Sequence, residues 1–87
     1  MHEITLLSAI MRKLTDIATE HNVSRLAGVT LRLGAMAHIS ADHLSEHFEE
    51  AARDTPAEGA TLSIVQDEDL GADHAQDILL ESVDLPQ

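Results

Sequence analysis

The stretch Gly28-Val29-Thr30-Leu31-Arg32-Leu33 indicates how this chain folds. Apolar side chains at every second position alternate with Thr30 and Arg32, which is the pattern of a strand with one buried face. Gly34 comes next and is expected to end the strand or to form a bulge in it. Such a strand needs other elements to cover its apolar face, and the patterns on either side of it supply them.

Amphipathic helices are predicted before and after this strand. The apolar residues of the first recur at three- and four-residue spacing: Leu7, Ile10, Met11, Leu14, Ile17 and Ala18. This helix is expected to end at His21-Asn22, because Asn tolerates the left-handed conformation of a helix cap. Ser40 is a good N-cap for the second helix, with Asp42 in its first turn. Its apolar stripe consists of Leu44, Phe48, Ala51 and Ala52. Thr55-Pro56 is expected to break it.

Two more strands complete the predicted fold. Gly59 opens the second strand, in which Leu62 and Ile64 share one face, and the third runs from Ile78 to Leu85 and ends at Pro86. The order is therefore α-β-α-β-β. It predicts an α/β fold: a single small two-layer domain, residues 1–87, whose three-stranded sheet carries two helices on one face.

Composition excludes several classes of function. The chain has 87 residues, 16 acidic and 5 basic, with a formal net charge of −11. This charge argues against binding to nucleic acid or to anionic membrane surfaces, because proteins that bind either one need clustered Lys and Arg. The absence of cysteine excludes disulfides, thiolate zinc sites and a Cys nucleophile. No apolar run reaches the roughly 18 residues of a membrane span, and the start lacks a secretory signal, so a cytoplasmic location is expected.

Two groups of residues carry nitrogen ligands that could bind a metal. The amine of Met1, the backbone amides and the imidazole of His2 form a nitrogen-rich set that favours square-planar Ni(II) or Cu(II), with Glu3 adding a carboxylate. A histidine at this position is also common on ordinary surfaces, so spacing alone leaves both interpretations open. His43 and His47 lie four positions apart on the second helix, where they could chelate one ion with His38 nearby, or serve as ordinary helix residues.

The other chemistry-bearing patterns are weak. The acidic connection at about residues 67–77 contains His74 but does not have the spacing of a calcium-binding EF-hand, so a solvated loop is favoured. The sequence has no nucleophile elbow, phosphate loop or H-E-x-x-H zinc motif. We therefore do not expect an enzyme.

Three stretches, in this order and spacing, resemble one known family. They are Met1-His2-Glu3-Ile4-Thr5-Leu6, then Val29-Thr30-Leu31-Arg32-Leu33-Gly34, and the passage from Phe48-Glu49 to Thr55-Pro56-Ala57-Glu58-Gly59-Ala60-Thr61-Leu62-Ser63-Ile64. Ile78 to Leu85 is a looser match. On these residues the chain resembles the HypA/HybF nickel metallochaperones, which help to insert nickel into nickel–iron hydrogenases and, in some organisms, urease.

The resemblance implies a function and a ligand set. Ni(II) would be bound as cargo by the Met1 amine, nearby backbone nitrogens and the His2 side chain, with Glu3 as a modulator or a ligand. The implied partners are a HypB-like GTPase and the hydrogenase large subunit or related maturation proteins. The alternative is an adaptor or assembly factor of a hydrogenase maturation complex that no longer delivers metal.

The chain also departs from the family at one place. The family inserts a zinc domain, held by two Cys-x-x-Cys pairs, between its last two strands. Here a short acidic loop at about residues 67–76 takes that place, without cysteine, so no zinc is expected. A short loop between consecutive strands favours an antiparallel hairpin, which would pair Ile64 with Leu79.

Overall fold

The computed structural model describes residues 3–37, 39–68 and 77–86. These residues form two helices and three strands in the predicted order: α1 (Glu3–Glu20), β1 (Gly28–Leu33), α2 (Ala41–Ala52), β2 (Thr61–Gln66) and β3 (Ile78–Asp84). The bounds of β1 are those predicted, and β3 ends one residue earlier than expected. None of the described helices is long and apolar enough to cross a membrane.

The order of the strands corrects the hairpin prediction. The sheet order is β2-β1-β3, so β1 lies in the centre, parallel to β2 and antiparallel to β3. Leu31 lies opposite Ile64 on one side and Leu80 on the other. Ile64 and Leu79 therefore belong to strands that do not pair. The reason is that α2 forms the crossover that returns β2 parallel to β1, and β3 then pairs with the free edge of β1.

Both described ends of the connection between β2 and β3 are fixed to the end of β1. The Asp67 amide donates to the Leu33 carbonyl at 2.9 Å, and the Gly34 amide donates to the Asp77 carbonyl at 2.9 Å. The connection therefore starts and finishes beside neighbouring residues of one strand. The predicted acidic loop at 67–76 itself lies mostly outside the described residues.

A bulge explains why the third strand lacks a clean alternation in sequence. Leu80 pairs with Leu31 and Ser82 pairs with Thr30, which leaves Glu81 as an extra residue on β3. Because of this extra residue, Leu80 and Val83 both pack against the core although they are three positions apart.

The core lies between the sheet and both helices. Its fully buried side chains come from α1, β1 and α2 and are mainly aliphatic: Phe48, Leu7, Leu14, Leu31, Leu44 and Val29. Phe48 is the only Phe of the chain, which contains no Tyr or Trp. The apolar stripes of both helices and the alternating face of β1 thus meet in a single cluster, as their periodicity predicts.

The end of α1 and the start of α2 form as the sequence indicates, whereas α2 ends at Ala52, before the expected break at Thr55-Pro56. Asn22 adopts a left-handed φ of 54° after α1. The Ser40 hydroxyl accepts a hydrogen bond of 3.2 Å from the His43 amide and so caps α2. This bond satisfies one of the amide groups that have no partner within the helix.

Replacing Ser40 should measurably destabilise the protein. We expect Ser40→Ala to lower the free energy of unfolding by about 1 kcal/mol, because the His43 amide loses its acceptor. Urea denaturation followed by circular dichroism measures this loss. Ser8→Ala, an exposed position within α1, is the matched control and should cost nothing measurable. Equal stabilities for Ser40→Ala and wild type would contradict the cap.

An exposed ion pair connects the segment before β1 to the turn before β2. Arg25 Nη1 donates to Glu58 Oε1 at 3.0 Å and to the Thr55 carbonyl at 3.3 Å. The Asp54 amide donates to Glu58 Oε2 at 3.4 Å. The hydrogen bond from Arg25, followed by that from Asp54, holds the pKa of Glu58 below its ordinary value.

Removing the arginine should therefore change the titration of Glu58. We expect Arg25→Gln to raise the Glu58 pKa towards its ordinary value, as measured by NMR titration of the side-chain carboxyl carbon of Glu58. Since the pKa is lower in the folded state, the stability that this pair contributes is present above the unfolded pKa. It is lost as the pH falls through the folded pKa. An unchanged Glu58 pKa in Arg25→Gln would show that the ion pair does not form.

Candidate metal-binding region

The predicted ligands lie directly before and at the start of α1. Met1 and His2 lie outside the described residues, and Glu3 is described as the first residue of the helix by its backbone alone. The three-residue ligand set therefore stays a prediction. What the structure adds is the position of the motif: the amide of Glu3 belongs to the first turn of an 18-residue helix.

This position has a chemical consequence for the amide nitrogens. The first four N–H groups of an α-helix have no acceptor within the helix. A metal can therefore take the amide nitrogen of Glu3 without breaking a helical hydrogen bond. A deprotonated amide also carries negative charge, which the positive end of the helix dipole favours.

A groove runs between α2 and the early turns of α1. Its cavity has a volume of about 510 Å³ and is lined by Leu7, Ser8, Met11, His47, Glu50 and Ala51. Leu7 and Met11 are buried and form its apolar side, whereas Glu50 is exposed on α2. The groove thus places the half-buried His47 against the part of α1 that follows Glu3 by about two turns.

The structure also brings two of the predicted histidines together. The ring centroids of His43 and His47 are 6.4 Å apart and the ring planes are nearly perpendicular, at 82°. His43 is exposed and His47 is half-buried. His38, the third member of the predicted cluster, lies outside the described residues, as does His74. Within the part of the chain that is described, no group of three or more His, Asp or Glu side chains is placed to hold a metal ion.

One charged cluster at the end of β1 was not foreseen from the sequence. Arg32 Nη2 lies 2.8 Å from Glu81 Oε2, and Arg32 Nη1 lies 3.6 Å from Asp67 Oδ1. The hydrogen bond and the charge of Glu81 raise the pKa of Arg32 above its ordinary value. This arginine connects the central strand to β3 and to the start of the acidic connection. An outward-facing Arg on a strand, in so acidic a chain, was the signal that could have predicted carboxylate partners.

Comparison with known proteins identifies the family of this chain. Residues 1–71 match the family described as "Hydrogenase/urease nickel incorporation, metallochaperone, hypA". The chain is 42% identical to hydrogenase maturation factor HypA of Chloroflexus aurantiacus over 64 residues. This aligned stretch covers 74% of this chain and 56% of the relative.

Two further relatives show the same relationship. HypA of Chlorobaculum parvum is 32% identical over 71 residues, covering 82% of this chain and 63% of the relative. Hydrogenase maturation factor HybF of Klebsiella pneumoniae is 36% identical over 64 residues, covering 74% and 57%. The chain thus spans less than two thirds of the length of these relatives. The matched part runs from the amino-terminal motif through β2 and into the acidic connection.

Proposed function

The chain belongs to the HypA family of metallochaperones for nickel incorporation, and from this premise we propose that it is a carrier that binds Ni(II) through Met1, His2 and Glu3. The cargo would be held by the Met1 amine, the amide nitrogens that follow and the His2 imidazole, with the Glu3 carboxylate beside them. It would then be passed by ligand exchange to a maturation partner. The carrier itself would not be an enzyme.

The observation that carries this proposal is the start of α1 at Glu3. A square-planar nickel site built from an amine, deprotonated amides and an imidazole needs backbone nitrogens that are free of other hydrogen bonds. The first turn of a helix supplies such nitrogens, whereas a strand or a helix interior does not.

We also propose that this is one domain in which the acidic segment at about residues 67–76 takes the place of the family's zinc domain. The hydrogen bonds from Asp67 to Leu33 and from Gly34 to Asp77 support this, because they fix both ends of the segment beside each other. A segment of this length can join β2 to β3 without an inserted module. With no cysteine in the chain, no thiolate zinc is expected.

The partners that fit the proposal are those of hydrogenase maturation. A HypB-like GTPase and the hydrogenase large subunit, or related maturation proteins, would receive or relay the nickel in the cytoplasm. Neither nucleic acid nor a membrane is proposed as a partner, since a net charge of −11 opposes binding to either polyanion.

Nickel delivery can be tested in cells. In a bacterium that lacks its own HypA, we expect this chain to restore hydrogenase activity at low nickel and the His2→Ala variant to fail. Equal restoration by both proteins would contradict nickel delivery and would support the alternative function, an adaptor or assembly factor that does not carry metal. His21→Ala, an exposed histidine just after α1, is the control and should restore activity fully.

A further inference from the structure

We propose that His43 and His47 form a second binding site for a divalent transition-metal ion, separate from the amino-terminal motif. The two side chains lie four residues apart on α2, with ring centroids separated by 6.4 Å. Two histidines at this spacing on a helix are the ligand pair that helical zinc sites use. The proposal goes beyond the proposed carrier site because it uses none of its three residues.

The separation of the two rings is close to the separation that holding one ion requires. A metal–nitrogen bond of about 2.1 Å places each imidazole centroid about 3 Å from the ion, so two rings on one ion lie between about 4.5 and 6 Å apart. The observed separation of 6.4 Å is slightly longer, so binding requires the exposed His43 side chain to rotate towards His47. The backbone below His43 is already fixed by its hydrogen bond to the Ser40 cap.

The surroundings decide which ions the pair can take. Imidazole nitrogen suits Ni(II), Cu(II) and Zn(II), whereas Ca²⁺ and Mg²⁺ require oxygen ligands. The neighbouring carboxylates, Asp42, Glu46 and Glu50, are exposed and add negative charge around the pair, which attracts a cation. Since no third side chain in the described residues is placed to join the pair, water or a partner's group would fill the remaining positions.

Nickel reports on the two sites in different ways. A site made of amide nitrogens is square planar, and square-planar Ni(II) is diamagnetic. Two imidazoles completed by water give an octahedral ion, which is paramagnetic and broadens nearby NMR signals. One titration therefore distinguishes a nickel ion on α2 from one at the amino terminus.

The test uses Ni(II) added to the His2→Ala protein, in which the amino-terminal set is incomplete. We expect broadening of the amide signals of residues 41–50. We expect His43→Ala in the same background to weaken this binding on the order of 100-fold, because one imidazole of the chelating pair is lost. His21→Ala is the matched control and should leave the broadening unchanged. Unaltered amide shifts elsewhere show that the His43→Ala protein is folded, as expected for an exposed side chain.

The outcomes separate this site from the proposed carrier function. No broadening of residues 41–50, or equal broadening in His43→Ala, would overturn the second site and leave the amino-terminal site untouched. Broadening at residues 41–50 in wild type, without a diamagnetic nickel species, would support the second site and count against the amino-terminal one.

Discussion

Replacing His2 with alanine should abolish the binding of one tightly held Ni(II) per chain. The imidazole is the one side-chain nitrogen in the proposed donor set, and it closes the chelate formed by the amine and the amides. Losing it leaves the Met1 amine as the one neutral donor, and the amides then have no second anchor to hold the ion while they lose their protons. We expect the affinity to fall on the order of 100-fold or more, since each donor of a chelate raises the effective concentration of the others.

Isothermal titration calorimetry at neutral pH measures this effect. His21→Ala should bind nickel as wild type does, because His21 follows the opposite end of α1. Affinity of the wild-type protein should also decrease at acid pH, because binding releases protons from the amine, the amides and the imidazole. Unchanged stoichiometric binding by His2→Ala would contradict the proposed site.

Replacing Phe48 with alanine should destabilise the fold more than any surface change. Phe48 is 2% exposed and packs in the single core that joins the helices to the sheet. Truncation of a buried Phe costs about 3–5 kcal/mol, from lost burial and from the cavity left behind. Small domains are stable by only about 5 kcal/mol at the lower end of the usual range. The variant should therefore be largely unfolded at physiological temperature.

Urea denaturation and thermal unfolding by circular dichroism test this prediction. Val65→Ala is the control, because Val65 is 38% exposed on β2 and should change stability by only about 0.5 kcal/mol. A loss below about 1 kcal/mol for Phe48→Ala would mean that the core does not depend on this ring.

The sequence allowed each element to be predicted but not how the strands pair. Helix and strand periodicity depend on which side chains are buried, and the core contains the residues that these patterns single out. Pairing depends on connections, and a short link between consecutive strands suggested a hairpin that would join Ile64 to Leu79. The hydrogen bonds from Asp67 to Leu33 and from Gly34 to Asp77 instead hold the described ends of the link against the end of β1.

The local irregularities were also beyond sequence reasoning. The extra residue at Glu81 shifts the register of β3 against β1, and no alternation pattern marks a bulge of this kind. The same residue provides the carboxylate that pairs with Arg32. Contacts of this type join residues 49 positions apart, and only the folded topology brings them together.

The candidate site divides in the same way. The ligand set Met1, His2 and Glu3 rests on three adjacent residues and on the resemblance of this stretch to a known family, and it stays a prediction. The groove beside α1, which involves His47 and Met11, depends on the packing of two helices and could not be predicted. The proximity of His43 and His47 could be, because helix geometry alone places them on one face.

The most direct test of the carrier proposal is a nickel titration of the protein with Met1 as its free amino terminus, compared with the same protein acetylated on that amine. Acetylation removes one proposed ligand and changes no side chain. We predict that the free protein binds one diamagnetic, square-planar Ni(II) and that the acetylated protein does not. Formation of the same planar complex by both proteins would contradict the proposed site.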